Sequence, residues 1–361
     1  MMHPSTDPLT PSAAPKKQVF ALGLLSGGLD SMLAARLLME QGIRVECVNF
    51  YTGFCIQGHT GAMRNPEPDA RPARHDALHA AQLLGIKLHL VDIAEEYVRI
   101  VTDPKHGYGS NLNPCLDCKI FMVARAWSMK ERLGFDFLFT GEVLGQRPMS
   151  QRRENLPHIE REAGVEGWLL RPLCATRLKA TEPEKLGWVD RQRLRGFSGR
   201  GRKPQMALAE QFGLRDYPSP AGGCCFLTDV NYSRKLQDLW HFRGEKAYTM
   251  EDIVLLKAGR HLRPAPRFKV IVGRDETENR FLSGFREGRW AIHATELAGP
   301  LMLVEGQPDD EDLTLACRLA ARFGQGRHLP QVLLTVERHG QQQTRLVTPL
   351  PAAEIPPEWY L

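Results

Sequence analysis

Ser26-Gly27-Gly28-Leu29-Asp30-Ser31 constrains this chain more than any other stretch, because it joins an apolar run to a helical pattern. Residues 19–25 (VFALGLL) read as a buried strand, and residues 32–40 (MLAARLLME) have the leucine and alanine spacing of a helix. Two glycines at the junction let the backbone turn sharply and approach a ligand with no Cβ in the way. The helix then offers unpaired N–H groups and the positive end of its dipole, to which Ser26 and Ser31 add hydroxyls. That combination suits a pyrophosphate. Neither GxxxxGK[ST] nor GxGxxG occurs at this junction, so the Walker loop and the dinucleotide fingerprint do not account for it.

The pattern continues as alternating strand and helix. Residues 43–50 read as a strand, 73–84 as a helix, 88–93 as a strand, 120–133 as a helix and 135–140 as a strand. This order predicts an α/β fold, a Rossmann-like parallel sheet with helices on both faces and its ligand beyond the strand carboxyl ends. Strand endings at Leu25, Phe50 and Thr140 then converge on one nucleotide pocket. We place this domain at 18–215. Residues 216–245 carry Cys224 and Cys225 in a segment too short for a domain of its own, expected to fold over the first. From 246 to 361, short strands (FKVIV, LMLV, QVLLTV) and an amphipathic helix (EDLTLACRLAARF) predict a smaller α+β domain ending in a proline-rich tail.

Residues 1–17 are rich in proline, serine and alanine without a hydrophobic core, and read as a disordered tail and not a signal peptide. No apolar run approaches the roughly 20 residues that span a bilayer, so no membrane partner and a cytoplasmic location are expected. The net charge of +5 is modest, but its distribution is uneven. Residues 191–203 (RQRLRGFSGRGRK) hold five arginines and one lysine with no acid, and Arg260, Arg263, Arg267 and Lys269 surround two prolines. Both clusters suit a phosphate backbone or, failing that, a solvated surface.

Eight unevenly spaced cysteines in a chain this long do not resemble a secreted disulfide framework. Cys115 and Cys118 form a CxxC ahead of a helix, whose N-terminus is expected to lower their pKa and favour thiolate. Two thiolates do not complete a metal site, so a third ligand must come from elsewhere. Cys224, in a glycine loop, is the natural third, with its neighbour Cys225 as the substitute. Cys47 and Cys317 read as small core residues, while Cys55 and Cys174 lie in less regular segments and stay unassigned, with the core reading favoured. His75 and His79 have zinc-ligand spacing without a nearby third ligand, and read as residues of a solvated helix.

The strand–SGGLDS–helix junction resembles the PP-loop of ATP pyrophosphatases, which cleave ATP to AMP and pyrophosphate while adenylating a carbonyl oxygen. With the CxxC, the chain resembles the tRNA thiolation branch: bacterial tRNA 2-thiouridylases and the PP-loop portion of tRNA 4-thiouridine synthetases. Asp76-Ala77 with Leu84-Gly85-Ile86 resembles the family's helix and following strand. Residues 113–118 (NPCLDC) resemble its NPD-x-x-C element, with Cys115 in place of aspartate. Thr140-Gly141-Glu142 resembles its TGH nucleotide contact, with glutamate in place of histidine, and Gly222-Gly223-Cys224-Cys225-Phe226 its second cysteine loop. At the C-terminus, Gly259-Arg260-His261 and Ile271-Val272-Gly273-Arg274 resemble a small RNA-binding module found in some thiouridylase-like and ribosome-associated proteins.

The resemblance implies an adenine nucleotide alpha hydrolase-like domain that uses ATP and Mg²⁺ to adenylate a tRNA uridine, at O2 or O4, before sulfur displaces AMP. Ser26, Gly27, Gly28, Asp30 and Ser31 would bind ATP, with Gly141 and Phe50 near the nucleoside and Asp30 positioning Mg²⁺. Two sulfur routes exist among relatives. One is a persulfide on Cys224 with Cys118 as disulfide partner; the other is a [4Fe–4S] cluster on three cysteines with one iron open. The extra thiol at Cys115 favours the cluster, held by Cys115, Cys118 and Cys224, over persulfide chemistry or zinc. Asp30, Cys118 and Cys224 are thus the candidate catalytic residues, with tRNA and a cysteine desulfurase or sulfide as partners. The competing readings are a PP-loop ligase or sulfur-transfer enzyme for a small molecule, and a non-catalytic RNA-binding protein.

Overall fold

The computed structural model describes residues 18–56, 75–218 and 224–361. The tail at 1–17 and the glycines Gly222 and Gly223 lie outside the described residues. The alternating elements form as expected. Strand β1 (Phe20–Leu24) leads through the glycine junction into helix α1 (Leu29–Met39), and β2 (Arg44–Tyr51), α2 (Asp76–Leu84) and β3 (Lys87–Asp92) follow. Then come α3 (Ala94–Thr102), α4 (Cys115–Trp127), β4 (Phe137–Thr140), α5 (Asn155–Glu162), β5 (Leu169–Leu170) and α6 (Lys203–Gln211).

The five strands make one sheet in the order β3-β2-β1-β4-β5, with β1 parallel to both β2 and β4. All four residues of β4 are buried, as a sheet covered on both faces requires. Gly23 lies opposite Phe139 in the β1–β4 register, and a Cβ there would stand 2.2 Å from the Phe139 ring. Glycine at this position lets the aromatic ring cross the strand. The direction of strand succession reverses between β1 and β4, which makes their carboxyl ends the topological switch point.

Two helices differ from the sequence reading. The helix expected at 120–133 begins at Cys115, directly after Pro114, and ends at Trp127. A separate turn at Lys130–Leu133 then closes on Gly134 in the left-handed region (φ 73°). Helix α3 went unread, although Ala94, Tyr97 and Val101 mark one buried face at helical spacing.

By its internal contacts the chain divides into two compact units. One takes residues within Met1–Val48, Ala80–His89 and Val123–Asp216; the other takes Asn49–His79, Leu90–Met122 and Tyr217–Leu361. The connecting segment therefore groups, from Tyr217 onward, with the C-terminal elements. These begin with α7 (Val230–Arg243) and α8 (Met250–Leu255), which starts with a capping box between Thr249 and Asp252.

The C-terminal part is an antiparallel sheet, separate from the first, ordered β11-β10-β8-β9-β7-β6. Its strands are β6 (Arg260–Ala265), β7 (Phe268–Val272), β8 (Trp290–Ala294), β9 (Met302–Gly306), β10 (Val332–Arg338) and β11 (Gln341–Val347). Helix α9 (Asp310–Phe323) packs Ala316, Cys317, Leu319 and Ala320 against this sheet. The polar β11 (QQQTRLV) has no hydrophobic signal. It forms because His339 (φ 50°) and Gly340 (φ 76°) make a two-residue hairpin turn that pairs it along β10. The proline-rich terminus is not a loose tail. Ile355 is buried, Tyr360 bridges to Leu262, and the Leu361 N–H donates to His261 O at 3.1 Å.

The second basic cluster departs from its reading in part, because most of its charges find partners within the protein, although Arg260 and Arg267 stay exposed. Arg263 forms a two-point ion pair with Asp238, Arg267 pairs with Asp309 and Asp312, and Arg260 lies over the Phe323 ring. Buried Lys269 meets Glu305 at 2.9 Å, and Arg289 meets the same carboxylate at 2.8 Å. Antiparallel pairing of β7 with β9 places Lys269 beside Glu305, which a linear reading of charge does not register.

Burial alone would raise the Glu305 pKa, but Lys269 and Arg289 outweigh it and hold the carboxyl at about 2. Its contribution to stability is therefore complete above its unfolded value of about 4.3 and is lost as pH falls toward 2. Urea unfolding of the wild type should weaken through that window. Glu305→Gln should flatten this response and lower stability near pH 7 by about 3–5 kcal/mol, since Lys269 stays buried without its partner.

Candidate active site

The glycine junction builds a compact loop at the switch point. Gly27 takes φ 82°, and Gly28 then caps α1 in an extended conformation with no side-chain cap bond. The Ser31 hydroxyl donates to Gly28 O at 2.8 Å, and the Gly28 N–H donates to the Ser26 hydroxyl at 3.3 Å. The serines thus fold the loop around the first turn of a helix whose opening N–H groups have no intrahelical partner. Asp30 adds the only acid of that turn.

Asp30 is held from the side. The Gln146 amide donates to Asp30 Oδ2 at 2.6 Å, and the buried Gln205 donates to Gln146 Oε1 at 3.0 Å. Asp30 Oδ1 is buried and has no hydrogen-bond partner among the described residues. A carboxylate oxygen oriented in this way, with an unfilled coordination position, fits a hard cation such as Mg²⁺. Gln146 and Gln205 carried no motif signal. They are visible only through this chain of bonds.

Gly141 stands at the end of β4 against the same loop. A Cβ on it would lie 2.5 Å from both Asp30 C and Ser31 N, which are backbone atoms with no room to yield. The structure thus brings Gly27, Gly28, Asp30, Ser31 and Gly141 together. Its neighbour Glu142 has a different task from the histidine it replaces in the sequence pattern. Buried Glu142 accepts from Thr140 Oγ1 at 3.0 Å and from Arg171 Nε at 3.1 Å, and Arg171 also pairs with Glu160. That buried network locks the turn that carries Gly141. Phe50, expected near the nucleoside, is buried in β2 at 6 % exposure.

The cysteines of the second unit also assemble. Cys115 and Cys118 occupy the first turn of α4, and Cys118 interacts electrostatically with Cys115 and Cys224. Cys225 is hydrogen-bonded to Cys224 and is likewise within range of Cys118. The expectation of a helix-lowered thiol fails at Cys118. Burial, and then the neighbouring Cys224, push it up to about 12, although the Tyr97 hydroxyl hydrogen-bonds to its sulfur. The half-charge of a helix end is too weak to offset full desolvation. Cys225 is raised as well, first by its bond to Cys224 and then by burial. Cys55, unassigned in the sequence, sits opposite Cys225 in an antiparallel bridge.

Cys47, Cys174 and Cys317 are fully buried core residues, as expected. His75 Nδ1 accepts from the Leu78 N–H at 3.2 Å, which makes it a helix-start residue and not a ligand. The first basic cluster is partly consumed by the fold. Arg191 donates to Leu178 O and pairs with Glu184, Arg193 donates to Glu40 O, and Arg195 donates to Arg193 O. Arg200 and Lys203 remain exposed.

Comparison with known proteins matches two separate stretches of the chain to different families. Residues 17–180 match the family model described as thiamine biosynthesis protein (ThiI). They form a PP-loop domain of the ThiI family. Residues 259–360 match the NFACT protein RNA binding domain. The chain is 37 % identical over 134 residues to the tRNA-specific 2-thiouridylase MnmA of Syntrophotalea carbinolica, covering 35 % of each chain. It is 28 % identical over 224 residues to the corresponding protein of Roseiflexus sp., covering 59 % of each. The match therefore spans between a third and three-fifths of these curated relatives. A 4-thiouridine synthetase solved with RNA and ATP aligns over 43 % of this chain and 36 % of its own, at 25 % identity and a TM-score of 0.32. No helix among the described residues is long and apolar enough to cross a membrane.

The PP-loop domain makes Gly141 a sharp test. Gly141→Ala should lower the thermal midpoint by the equivalent of about 1–3 kcal/mol, since overpacking against backbone has no soft neighbour to absorb it. Gly201→Ala, where a Cβ meets nothing within 4 Å, should leave the midpoint nearly unchanged.

Proposed function

We propose that this protein uses ATP to activate a carbonyl oxygen of a tRNA uridine and then replaces that oxygen with sulfur. The observation that carries the reading is the PP-loop junction: a glycine turn and helix N-terminus, closed by Gly141, with Asp30 Oδ1 buried and open to a cation. The loop N–H groups and the Ser26 and Ser31 hydroxyls hold the β- and γ-phosphates of ATP. Asp30, kept in place by Gln146, holds Mg²⁺ on the departing pyrophosphate, where neutralising charge lowers the barrier to α-phosphoryl transfer. The uridine oxygen attacks the α-phosphorus and pyrophosphate leaves. Sulfide then adds at the activated carbon and AMP leaves with the original oxygen.

The relatives named tRNA-specific 2-thiouridylase support this assignment, and the match to an RNA-binding domain model supports a C-terminal grip on tRNA. Exposed Arg200 and Lys203 are available for phosphate contacts, unlike the paired cations of β6 and β7. For sulfur delivery, the donor chemistry of Cys115, Cys118 and Cys224 fits an iron–sulfur cluster. Cys118 is neutral at physiological pH on its own, and bound metal is what converts such a thiol to thiolate. A [4Fe–4S] cluster held by these residues would supply an iron-based site for the sulfur to be delivered.

Asp30→Ala should abolish tRNA-dependent pyrophosphate release while leaving the circular dichroism spectrum and thermal midpoint close to wild type. Undiminished release in that variant would overturn the role of the loop, and release indifferent to tRNA would move the substrate to a small molecule. Protein purified without oxygen should contain iron and acid-labile sulfide. Cys224→Ser should lose both and Cys225→Ser retain them; the reverse result would shift the third ligand by one residue.

A further inference from the structure

Cys55 and Cys225 face each other directly across an isolated antiparallel bridge. The Phe226 N–H donates to Phe54 O at 2.9 Å, joining the residue after Cys225 to the residue before Cys55. This bond pattern makes the two cysteines a non-hydrogen-bonded pair. Such pairs hold their Cα atoms about 4.5 Å apart with both side chains on one face. That spacing falls within the range of about 4.4–6.8 Å over which a disulfide closes without moving the backbone.

Both sides of the pair are anchored. Phe54 is fully buried with its ring against Tyr97, Tyr232 and Tyr248, and Lys257 Nζ donates to Gly53 O at 2.6 Å. After Cys225, the Thr228 hydroxyl donates to Cys225 O at 2.8 Å, and Asn111 donates to Thr228 O at 2.8 Å. The sulfurs have other partners as well, Cys225 first of all the neighbouring Cys224. Cys55 Sγ lies 3.4 Å from Thr52 Oγ1, and Cys225 Sγ lies 3.9 Å from Asn113 Oδ1. A change of χ1 releases each of these contacts while the backbone stays fixed. Both cysteines are partly exposed, unlike Cys47, Cys174 and Cys317.

We propose that Cys55 and Cys225 form a reversible thiol–disulfide site that accepts oxidising equivalents from small disulfides of the glutathione class. Cys55 sulfur attacks one sulfur of the small disulfide, giving a mixed disulfide and releasing one molecule of thiol. Cys225 sulfur then attacks Cys55 Sγ, the second thiol departs with the proton of Cys225, and the cross-strand bond closes. Two protein thiols are oxidised and one small disulfide is reduced to two thiols. The bond ties the loop that bears Cys224 to the segment that follows β2. If Cys224 takes part in sulfur delivery, as the proposed function holds, the oxidised protein has that residue fixed in place and its thiolation is slowed. The crosslink itself does not depend on that reading.

The full-length protein, reduced and then treated with oxidised glutathione, should yield a linked Cys55–Cys225 peptide on non-reducing mass spectrometry after the remaining thiols are alkylated. The linkage should be absent in Cys55→Ser and should disappear with dithiothreitol. Alkylated Cys55 and Cys225 in the oxidised wild type, or Cys225 linked instead to Cys118 or Cys224, would overturn the site. Where tRNA thiolation is measurable, oxidation should reduce it at least several-fold in the wild type and not in Cys55→Ser. Equal loss in both would remove the regulatory consequence. A protein with no thiolation activity that still forms the linked peptide would fail the functional reading and keep the site.

Discussion

The contact between Gly141 and the backbone of Asp30 and Ser31 governs the architecture of the candidate nucleotide site. It exists because β1 and β4 are adjacent in the sheet although more than a hundred residues separate them in the chain. A side chain of any size at position 141 would part the strand end from the helix start. The close approach allows Gln146, just beyond the turn, to reach Asp30 and fix one carboxylate oxygen while the other stays open. Glu142 and Arg171 secure the turn from beneath. Breaking such a buried pair typically costs about 3–5 kcal/mol, which makes the network a rigid support for a glycine that has none of its own.

Charge in this molecule is mostly committed to structure. Arginines that look free in the sequence are tied to carbonyls or carboxylates once strands and helices stack. Arg191 and Arg193 hold a loop, Arg263 and Arg267 tie the antiparallel sheet to its helices, and Lys269 joins neighbouring strands within it. A basic run is therefore a poor guide to a nucleic-acid surface when acids distant in sequence can reach it. Buried Lys269 must be satisfied internally, and Glu305 supplies its partner.

The cysteines show a contest between two electrostatic effects. A helix N-terminus favours thiolate, and burial opposes it. At Cys118 burial prevails, and the neighbouring sulfur of Cys224 adds to it. A set of thiols in this state is unreactive alone and becomes useful when a cation shares the space. Cys55 and Cys225 face each other across two backbone segments.

Much of the α/β half was legible in the sequence, because a glycine turn between a buried strand and a leucine-spaced helix is specified by local sterics and hydrophobic periodicity. The parallel sheet and the strand limits to within a few residues followed from that local grammar, whereas Gly141 was marked only by the resemblance of Thr140-Gly141-Glu142 to a family motif. Helix α3 was written in the sequence and went unread, while β11 had no apolar pattern to read and depends on its hairpin turn. The sequence by itself determined which backbone segments could turn, pair and bury. Only the tertiary structure decided the partners: Gln146 on Asp30, Arg171 on Glu142, Glu305 on Lys269 and Cys55 opposite Cys225. Those pairings join residues far apart in the chain, and their energies come from desolvation and contact geometry that exist only once the chain has folded.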